Sequence, residues 1–523
     1  MPASPRYITT PIYYVNGRPH LGHAYTTTIC DVWARFQRLL GHDVFFLTGT
    51  DEHGQKVEQS AIACNMTPQE MADKNAAEFQ QIMGMFGLSN NDFIRTTDPD
   101  HTRQVQAFVQ RLLDSGDVYL GTFEGWYDAG QEEYYTETKA RDCNYTSPIS
   151  GKPLEKTTQD NYYFRLSHYQ ARIEALLDQH PDFIRPEARR NEVLGRLREG
   201  LQDVPISRTN FTWGIPVPGD DAHVIYVWID ALFNYATALG MGEPNGERCA
   251  QRKQYWPATY HVIGKEILWF HAVIWPALLM ALDLPRPACI YAHSLWISDG
   301  QKMSKSLGNS VDLERLHKSI ETYGRDALRW YLITNGPLGA TDADYTDAAF
   351  HEAYTTDLVN TLGNCASRVS AMIGKYFDGA LPEDTDAPLA DVDWSSFCSA
   401  QADEAIAAME QFNLSGACTA ALAIIRRVDA FINETAPFKL AKDPDQTATL
   451  GAILYRCAEA IRISSSLLAA AMPDTIGQLH EAWCIGPITD LNEASRWGGL
   501  KPGQHIAKVA LFPRVTLEDC STA

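Results

Sequence analysis

Residues 7 to 48 decide the fold: Tyr7-Ile8-Thr9-Thr10, a loop from Pro11 to Pro19, His20-Leu21-Gly22-His23 opening a long amphipathic run, then Asp43-Val44-Phe45-Phe46-Leu47-Thr48. The first piece is β-prone and enters a Pro-Asn-Gly loop. From His20 the apolar residues fall at helical spacing: Leu21, Ala24, Tyr25, Ile29, Val32, Trp33, Phe36, Leu39 and Leu40. Gly41 ends that helix. The last piece is a short apolar run suited to a parallel strand buried on both faces. Strand, helix, strand is a βαβ unit. The carboxyl ends of its strands, near Thr10 and Thr50, are predicted to line a ligand crevice.

Later segments return to that crevice. Val224 to Leu232 reads as a strand running into a helix, and Tyr260-His261-Val262-Ile263-Gly264-Lys265-Glu266 as a buried strand ending in a glycine turn. Ile290 to Trp296 is the last strand, and it delivers Gly300-Gln301-Lys302-Met303-Ser304-Lys305-Ser306-Leu307-Gly308-Asn309. Two lysines in a Gly- and Ser-rich loop suit gripping phosphates while charge moves between them. His20 and His23 open a helix, where the dipole and free amide groups attract phosphate, and Gly22 leaves room for a nucleotide. Asp51, in Thr50-Asp51-Glu52-His53-Gly54, is a helix N-cap or a ligand-binding acid at a strand end.

The rest is organised around these pieces. Residues 65 to 120 read as helical and end at Gly116. From 121 to 225 tyrosines, glycines and prolines rise and β-like pieces appear. Residues 312 to 345 read as a helical connector. Beyond 346 the 3.6-residue spacing, as at Leu358, Leu362, Cys365, Ala366 and Val369, predicts an antiparallel helix bundle.

A chain of 523 residues is too long for one core. Hydrophobic content of 45% and charged content of 21% are those of an ordinary globular protein. The longest apolar candidate, Ile267 to Leu284, is broken by His271, Pro276 and Asp283, so no membrane span is expected. The N-terminus has no apolar signal core, and a cytoplasmic protein is expected. The eleven cysteines form no Cys-x-x-Cys pair, and Cys143 stands alone where a zinc knuckle would be sought. A net charge of −21 argues against nonspecific nucleic-acid binding. Any nucleic-acid face must therefore concentrate its basic residues, as Arg185, Arg189, Arg190, Arg196 and Arg198 do in sequence.

His20-Leu21-Gly22-His23 and Lys302-Met303-Ser304-Lys305-Ser306 together resemble the two signatures of class I aminoacyl-tRNA synthetases. The residues around both resemble the methionyl-tRNA synthetase family in particular, from Tyr7 to about Arg514. The resemblance implies an α/β fold: a Rossmann-like parallel-sheet catalytic domain in two halves (1–120 and 226–311), an inserted connective domain (121–225), a connector facing the tRNA stem (312–345), and an all-α anticodon-binding helix bundle (346–523). It implies an ATP-dependent ligase that converts methionine to methionyl-adenylate and pyrophosphate, then passes methionine to the 3′-terminal adenosine of tRNA(Met).

By the same resemblance His20, His23, Lys302 and Lys305 are catalytic. Gly22, Gly264, Glu266, Met303 and Ser304 join them around ATP. Asp51 takes the amino group of methionine. Ile12, Tyr14, Trp228, Ala231, Leu232, Tyr235, His271 and Ile274 wall the methionine side chain. An aromatic wall suits a soft thioether, and a hydroxyl or imidazole near the sulfur can act as a weak donor. Mg²⁺ accompanies ATP on phosphate oxygens. Asn364 and Arg368 match the family's Asn-x-x-x-Arg anticodon pair. Phe438 stands where the family carries tryptophan, which reduces the stacking area. The inserted segment resembles the metal-free subgroup without cysteine knuckles, so no structural zinc is expected. The chain ends soon after the bundle, which favours a monomer. Synthetases for leucine, isoleucine or valine usually carry a large editing insertion, for which 121–225 leaves no room. A small-metabolite nucleotidyltransferase would not need the helical part, and an inactive tRNA-binding relative would need neither signature.

Overall fold

The computed structural model describes residues 4–128, 133–135, 137–298, 300–303, 309–385 and 392–516. Strand β1 (Pro5–Thr9) pairs in parallel with β3 (Asp43–Asp51), from Pro5↔Asp43 to Thr9↔Leu47. After a break the same chain re-engages β3 as β2 (Tyr13–Tyr14), with Tyr13↔Thr50 and Tyr14↔Asp51. Helix α1 (Leu21–Leu39) is the crossover between β1 and β3. Strand β4 (Asp92–Arg95) adds to β3, also in parallel. It interrupts the stretch from 65 to 120 read as helical, which folds as helices Pro68–Met85 and Pro99–Asp114 on either side of that strand, with helix Gln55–Ala63 before it.

The inserted stretch supplies two antiparallel sheets. Strands β5 (Val118–Asp128), β6 (Glu133–Tyr135), β7 (Glu155–Phe164) and β9 (Val204–Pro205) form one. Strands β10 (Ser207–Arg208), β11 (Pro216–Val217) and β12 (Asp220–Ile225) form the other. Between them β8 (Ile184–Arg185) joins the main sheet, with Ile184 against Ile290 and Arg185 against Tyr291. The arginines around β8 do not make an open basic face. Arg189 donates to Ser294 Oγ (2.8 Å) and the Ala340 carbonyl (2.9 Å), and Arg190 to the Leu177 carbonyl (2.9 Å). Arg185 lies over Tyr291 and Arg196 over the Trp269 ring, while Arg196 and Arg198 are both exposed.

The core sheet is completed by β13 (Tyr260–Gly264) beside β1 and β14 (Cys289–His293) beside β13. Its order is β2-β3-β1-β13-β14-β8, with β4 on β3, and every pairing is parallel. The chain grows outward from β1 in one direction and from β13 in the other. The gap between those two strands is therefore the switch point where such sheets bind ligands. The strand read as Ile290 to Trp296 ends at His293. A new one, β15 (Trp296–Ser298), leaves the main sheet to pair with β16 (Gln301–Lys302) and β17 (Ala343–Asp344).

One face of the core sheet packs on helices Pro99–Asp114, α2 (Val227–Thr237) and Trp275–Ala281. The other packs on α1, and that apolar cluster runs without a break into the helical part. It includes Trp33 of α1, Trp330 of α3 (Arg325–Asn335), Leu358, and residues of α4 (Asn364–Tyr376), α5 (Trp394–Glu410), α6 (Leu414–Thr435) and α7 (Thr447–Leu468). A buried ion pair lies at this seam. Arg329 Nη2 is 2.8 Å from Asp31 Oδ2, with neither side chain exposed. Arg329 also donates to the carbonyls of Phe86, Ala470 and Ala471. Among the described residues no helix is long and apolar enough to cross a membrane.

Candidate active site

His20 is the N-cap of α1. Its Nδ1 accepts the Gly22 amide (3.1 Å), while the His20 amide donates to His23 Nδ1 (3.1 Å). Each ring thus uses Nδ1 as an acceptor, which places the hydrogen of a neutral imidazole on Nε2. Burial holds His23 well below the usual histidine range, and the neighbouring His20 adds to the effect. A Cβ on residue 22 would sit 3.0 Å from His20 Cε1, so Gly22 also makes room for the capping ring.

The amides of this turn are already engaged, which corrects the expectation of free amides for phosphate. Leu21 donates to the Val311 carbonyl (3.0 Å) and His23 to the His20 carbonyl (3.0 Å). What the helix start keeps for an anion is its dipole. The Val311 contact and the His20↔Asp312 bridge lay the chain that follows the lysine loop onto this helix start.

A cavity of about 420 Å³ opens at the switch point. Around it are Ile12 and Tyr14 from the β1–β2 break, Asp51 at the end of β3, and His20, Gly22 and His23. Helix α2 contributes Trp228, Ala231, Leu232 and Tyr235, the end of β13 contributes Gly264, and the segment after it Glu266 and His271. Ile274 is buried in the apolar core behind this wall rather than in it. A Cβ on Gly264 would meet nothing nearer than His293 Cε1 at 3.9 Å, so the space beside it is open. Trp228 stacks on Phe270, with centroids 4.4 Å apart. A π-helical turn, Phe270–Ile274, carries His271.

The wall hydrogen-bonds in one direction. His271 Nδ1–H donates to the Ile267 carbonyl (3.0 Å), so its Nε2 accepts the Tyr235 hydroxyl (2.7 Å). Both hydrogens face the protein, so the free donor expected beside a sulfur is absent in this arrangement. Burial lowers His271 to about 4. Thr26, Lys56, His293 and Leu295 also line the cavity. His293 Nδ1–H donates to the Ser294 carbonyl (2.7 Å) and its Nε2 faces the Thr26 hydroxyl (2.8 Å); burial takes it to about 4. The sequence reading missed these four. His293 alone had a signal, as a polar residue near the end of a buried strand. Asp230 on α2 is fully buried, and it accepts from His53 Nδ1 and His101 Nε2 (both 2.7 Å). Burial opposes its charge, but the two imidazoles outweigh that and hold its carboxyl below the usual range.

A second cavity of about 900 Å³ shares His20, Gly22, Glu266 and Leu295 with the first, and half-buried Met303 lines it. The backbone of Lys302 is paired with Ile297. Ser304 and Lys305 lie outside the described residues. In the helical part Asn364 is exposed at the start of α4. Arg368, one turn on, donates to Asp429 Oδ1 (2.6 Å) and Asn433 Oδ1 (3.4 Å) on α6. Phe438 follows the end of α6 and is 48% exposed.

A parallel sheet with a cavity at its switch point, walled by aromatic side chains and flanked by a histidine-capped helix, is the arrangement of ligand-binding α/β enzymes. Residues 6–147 and 140–370 match the family described as tRNA synthetases class I (M), and the chain belongs to that family. The chain is 43% identical to the methionine–tRNA ligase of Halalkalibacterium halodurans, over 98% of this chain and 79% of that one. It is 44% identical to the methionine–tRNA ligase of Streptomyces coelicolor, over 97% and 96%. Its structure matches Mycobacterium tuberculosis methionyl-tRNA synthetase in complex with methionyl-adenylate at TM-score 0.89 and 36% identity, over 98% of this chain and all of that one. Against the free-state structure of that synthetase the TM-score is 0.83.

Proposed function

We infer that this chain is a methionine–tRNA ligase, which activates methionine with ATP and transfers it to tRNA(Met). The observation that carries this reading is the switch-point cavity, with a soft aromatic wall on one side and the His20–His23 helix start on the other. In the first step a methionine carboxylate oxygen attacks the α-phosphorus of ATP, and the bond to the β-phosphate breaks with its electron pair leaving on pyrophosphate. The substrate supplies the nucleophile, so the protein positions groups and stabilises charge. Asp51 takes the methionine ammonium. The Nε2–H groups of His20 and His23 hold phosphate oxygens, Gly264 and Glu266 lie along the ribose, and Lys302 and Lys305 grip the departing pyrophosphate. Mg²⁺ enters with ATP as part of the substrate. In the second step the terminal adenosine hydroxyl of tRNA displaces AMP from the methionyl carbonyl.

Asn364, Arg368 and Phe438 take unstacked anticodon bases, and Asp429 and Asn433 hold the Arg368 guanidinium in place for this. The working form is a cytoplasmic monomer without structural zinc. Among the described residues no group of three or more His, Cys, Asp or Glu could hold a metal. Near-stoichiometric zinc in purified protein would overturn the zinc-free assignment. Pyrophosphate exchange run with each amino acid in turn tests the whole reading: methionine alone should support it. Lys305→Ala should cut adenylate formation far more than methionine affinity, and equal losses would remove Lys305 from that role.

A further inference from the structure

His261 is an unusual residue for its place. It sits second in β13, at the centre of the core sheet, and is fully buried. An aliphatic side chain there would avoid the cost of burying an imidazole. Both ring nitrogens are matched. Nε2 accepts the Trp275 indole N–H (3.3 Å), which leaves the hydrogen on Nδ1 to donate to Thr9 Oγ1 (2.8 Å). Thr9 is its register partner on β1. The imidazole is thus held in one plane and one tautomer by Thr9 of β1 and by Trp275 at the start of helix Trp275–Ala281. Burial, with His271 adding to it, holds the ring well below the usual histidine range, so it stays neutral.

The Tyr235 ring lies on that imidazole, with centroids 4.0 Å apart and planes 29° from parallel. Tyr235 is the wall residue whose hydroxyl donates to His271. Its backbone carbonyl is also fixed, by the Tyr7 hydroxyl (3.0 Å). His261 does not line the cavity, whereas Tyr235 and His271 do.

We propose that His261 is a positioning residue for amino-acid specificity: its fixed imidazole sets the plane of Tyr235 and so the placement of the Tyr235–His271 pair against the side chain of the bound amino acid. This rests on the reading of the cavity as a methionine site. A thioether and a methylene differ little in size, and an apolar pocket separates such isosteres weakly. Separation then depends on how closely a polarisable sulfur is held to fixed rings. A ring free to tilt forfeits that contact for methionine while still accepting a hydrocarbon chain.

The test is pyrophosphate exchange by the full chain with L-methionine and with L-norleucine, in which a methylene replaces the sulfur. His261→Phe keeps a ring beneath Tyr235 but removes both nitrogen contacts. It should lower the methionine-to-norleucine ratio of kcat/KM about tenfold while the KM for ATP stays unchanged. Thr9→Val removes one contact and should give about threefold in the same direction. Tyr235→Phe should lower the ratio as well. The double variant His261→Phe with Tyr235→Phe should be no worse than the poorer single one, because both act through one ring.

An unchanged ratio in both His261→Phe and Thr9→Val overturns the proposal. So does additivity in the double variant, or a rise in KM for ATP matching that for methionine, which marks general damage. If His261→Phe does not fold, the Thr9→Val ratio decides alone. A parent protein that exchanges norleucine or another amino acid but not methionine overturns the functional reading itself, a result distinct from all of these.

Discussion

The wall of the cavity and the seam between sheet and bundle both bury polar side chains, but they satisfy them differently. At the wall and just behind it the hydrogen-bonded pairs are neutral: Tyr235 donates to His271, Thr26 faces His293, and behind Tyr235 the His261 ring joins Thr9 to Trp275. At the seam they are ions. Asp31 receives Arg329 and Arg35 on one oxygen and the Ser89 amide and hydroxyl on the other. The fixed charges of the cavity come instead from Asp51, Lys56 and Glu266, and the neutral pairs add none of their own. An ion pair at the seam is expensive to break, which suits two layers that must stay together. Directional bonding, in this chain, orients the site, while charge fastens the domains.

The largest expected effect tests the seam. Arg329→Met leaves Asp31 short of a partner and three carbonyls without a donor, and should cost about 3–5 kcal/mol in urea unfolding. A loss no larger than that of an exposed pair would break the comparison.

Acid titration should separate the two regions. His271 and His293 fall from 6.5 to about 4 on folding. Below pH 6.5 the unfolded chain takes protons that the folded one refuses, so stability falls from about pH 6.5 towards 4, by roughly 3 kcal/mol for each ring. Asp31 behaves otherwise. Burial raises its carboxyl, but Arg329 and Arg35 outweigh that and keep it below the usual range. Its contribution is complete above about pH 4 and is lost only as the pH falls further. His293→Asn should shrink the upper limb of the stability profile and Asp31→Asn the lower. A single limb beginning below pH 4 would show that the wall is not held neutral.

Thr26→Val removes the hydroxyl facing His293 Nε2, and should cost about 1–3 kcal/mol by thermal unfolding. Arg35→Met is the mildest case. Its side chain is 28% exposed and Asp31 retains Arg329, so about 1 kcal/mol is expected. A cost for Arg35 equal to that for Arg329 would mean that burial does not set the strength of the seam.

The opening βαβ unit was legible because its helical apolar spacing holds over the whole of α1, and the strands around it are short uninterrupted apolar runs. Strand ends pointed to the crevice and to Asp51, His20 and His23, but the helical spacing of Trp228, Ala231, Leu232 and Tyr235 reads equally as core, and only the family resemblance set them on the cavity. What was missed depends on partners distant in sequence. Asp92-Phe93-Ile94-Arg95 offers two apolar residues and was absorbed into a helical stretch; pairing with β3 makes it a strand. The His261 contacts follow from the β1–β13 register, which no local pattern encodes. Arg329 lies in a segment correctly read as helical, yet a fully buried arginine runs against any amphipathic reading until Asp31 and the three carbonyls are known. The arginines near β8 show the converse: clustered in sequence, they point to separate structural partners.

Helix α1 begins at the His20 cap and carries Asp31 further along its length. At the usual rise it is a rod about 28 Å long, with Asp31 about 16 Å from the cap. The guanidinium that holds Asp31 also holds the carbonyls that close the turn after α7. The rod is therefore journalled in the bundle at mid-length and bears His20 and His23 at its tip. Catalytic groups tolerate misplacement of only about 0.5 Å. The helical bundle belongs to the bearing that keeps those histidines in line.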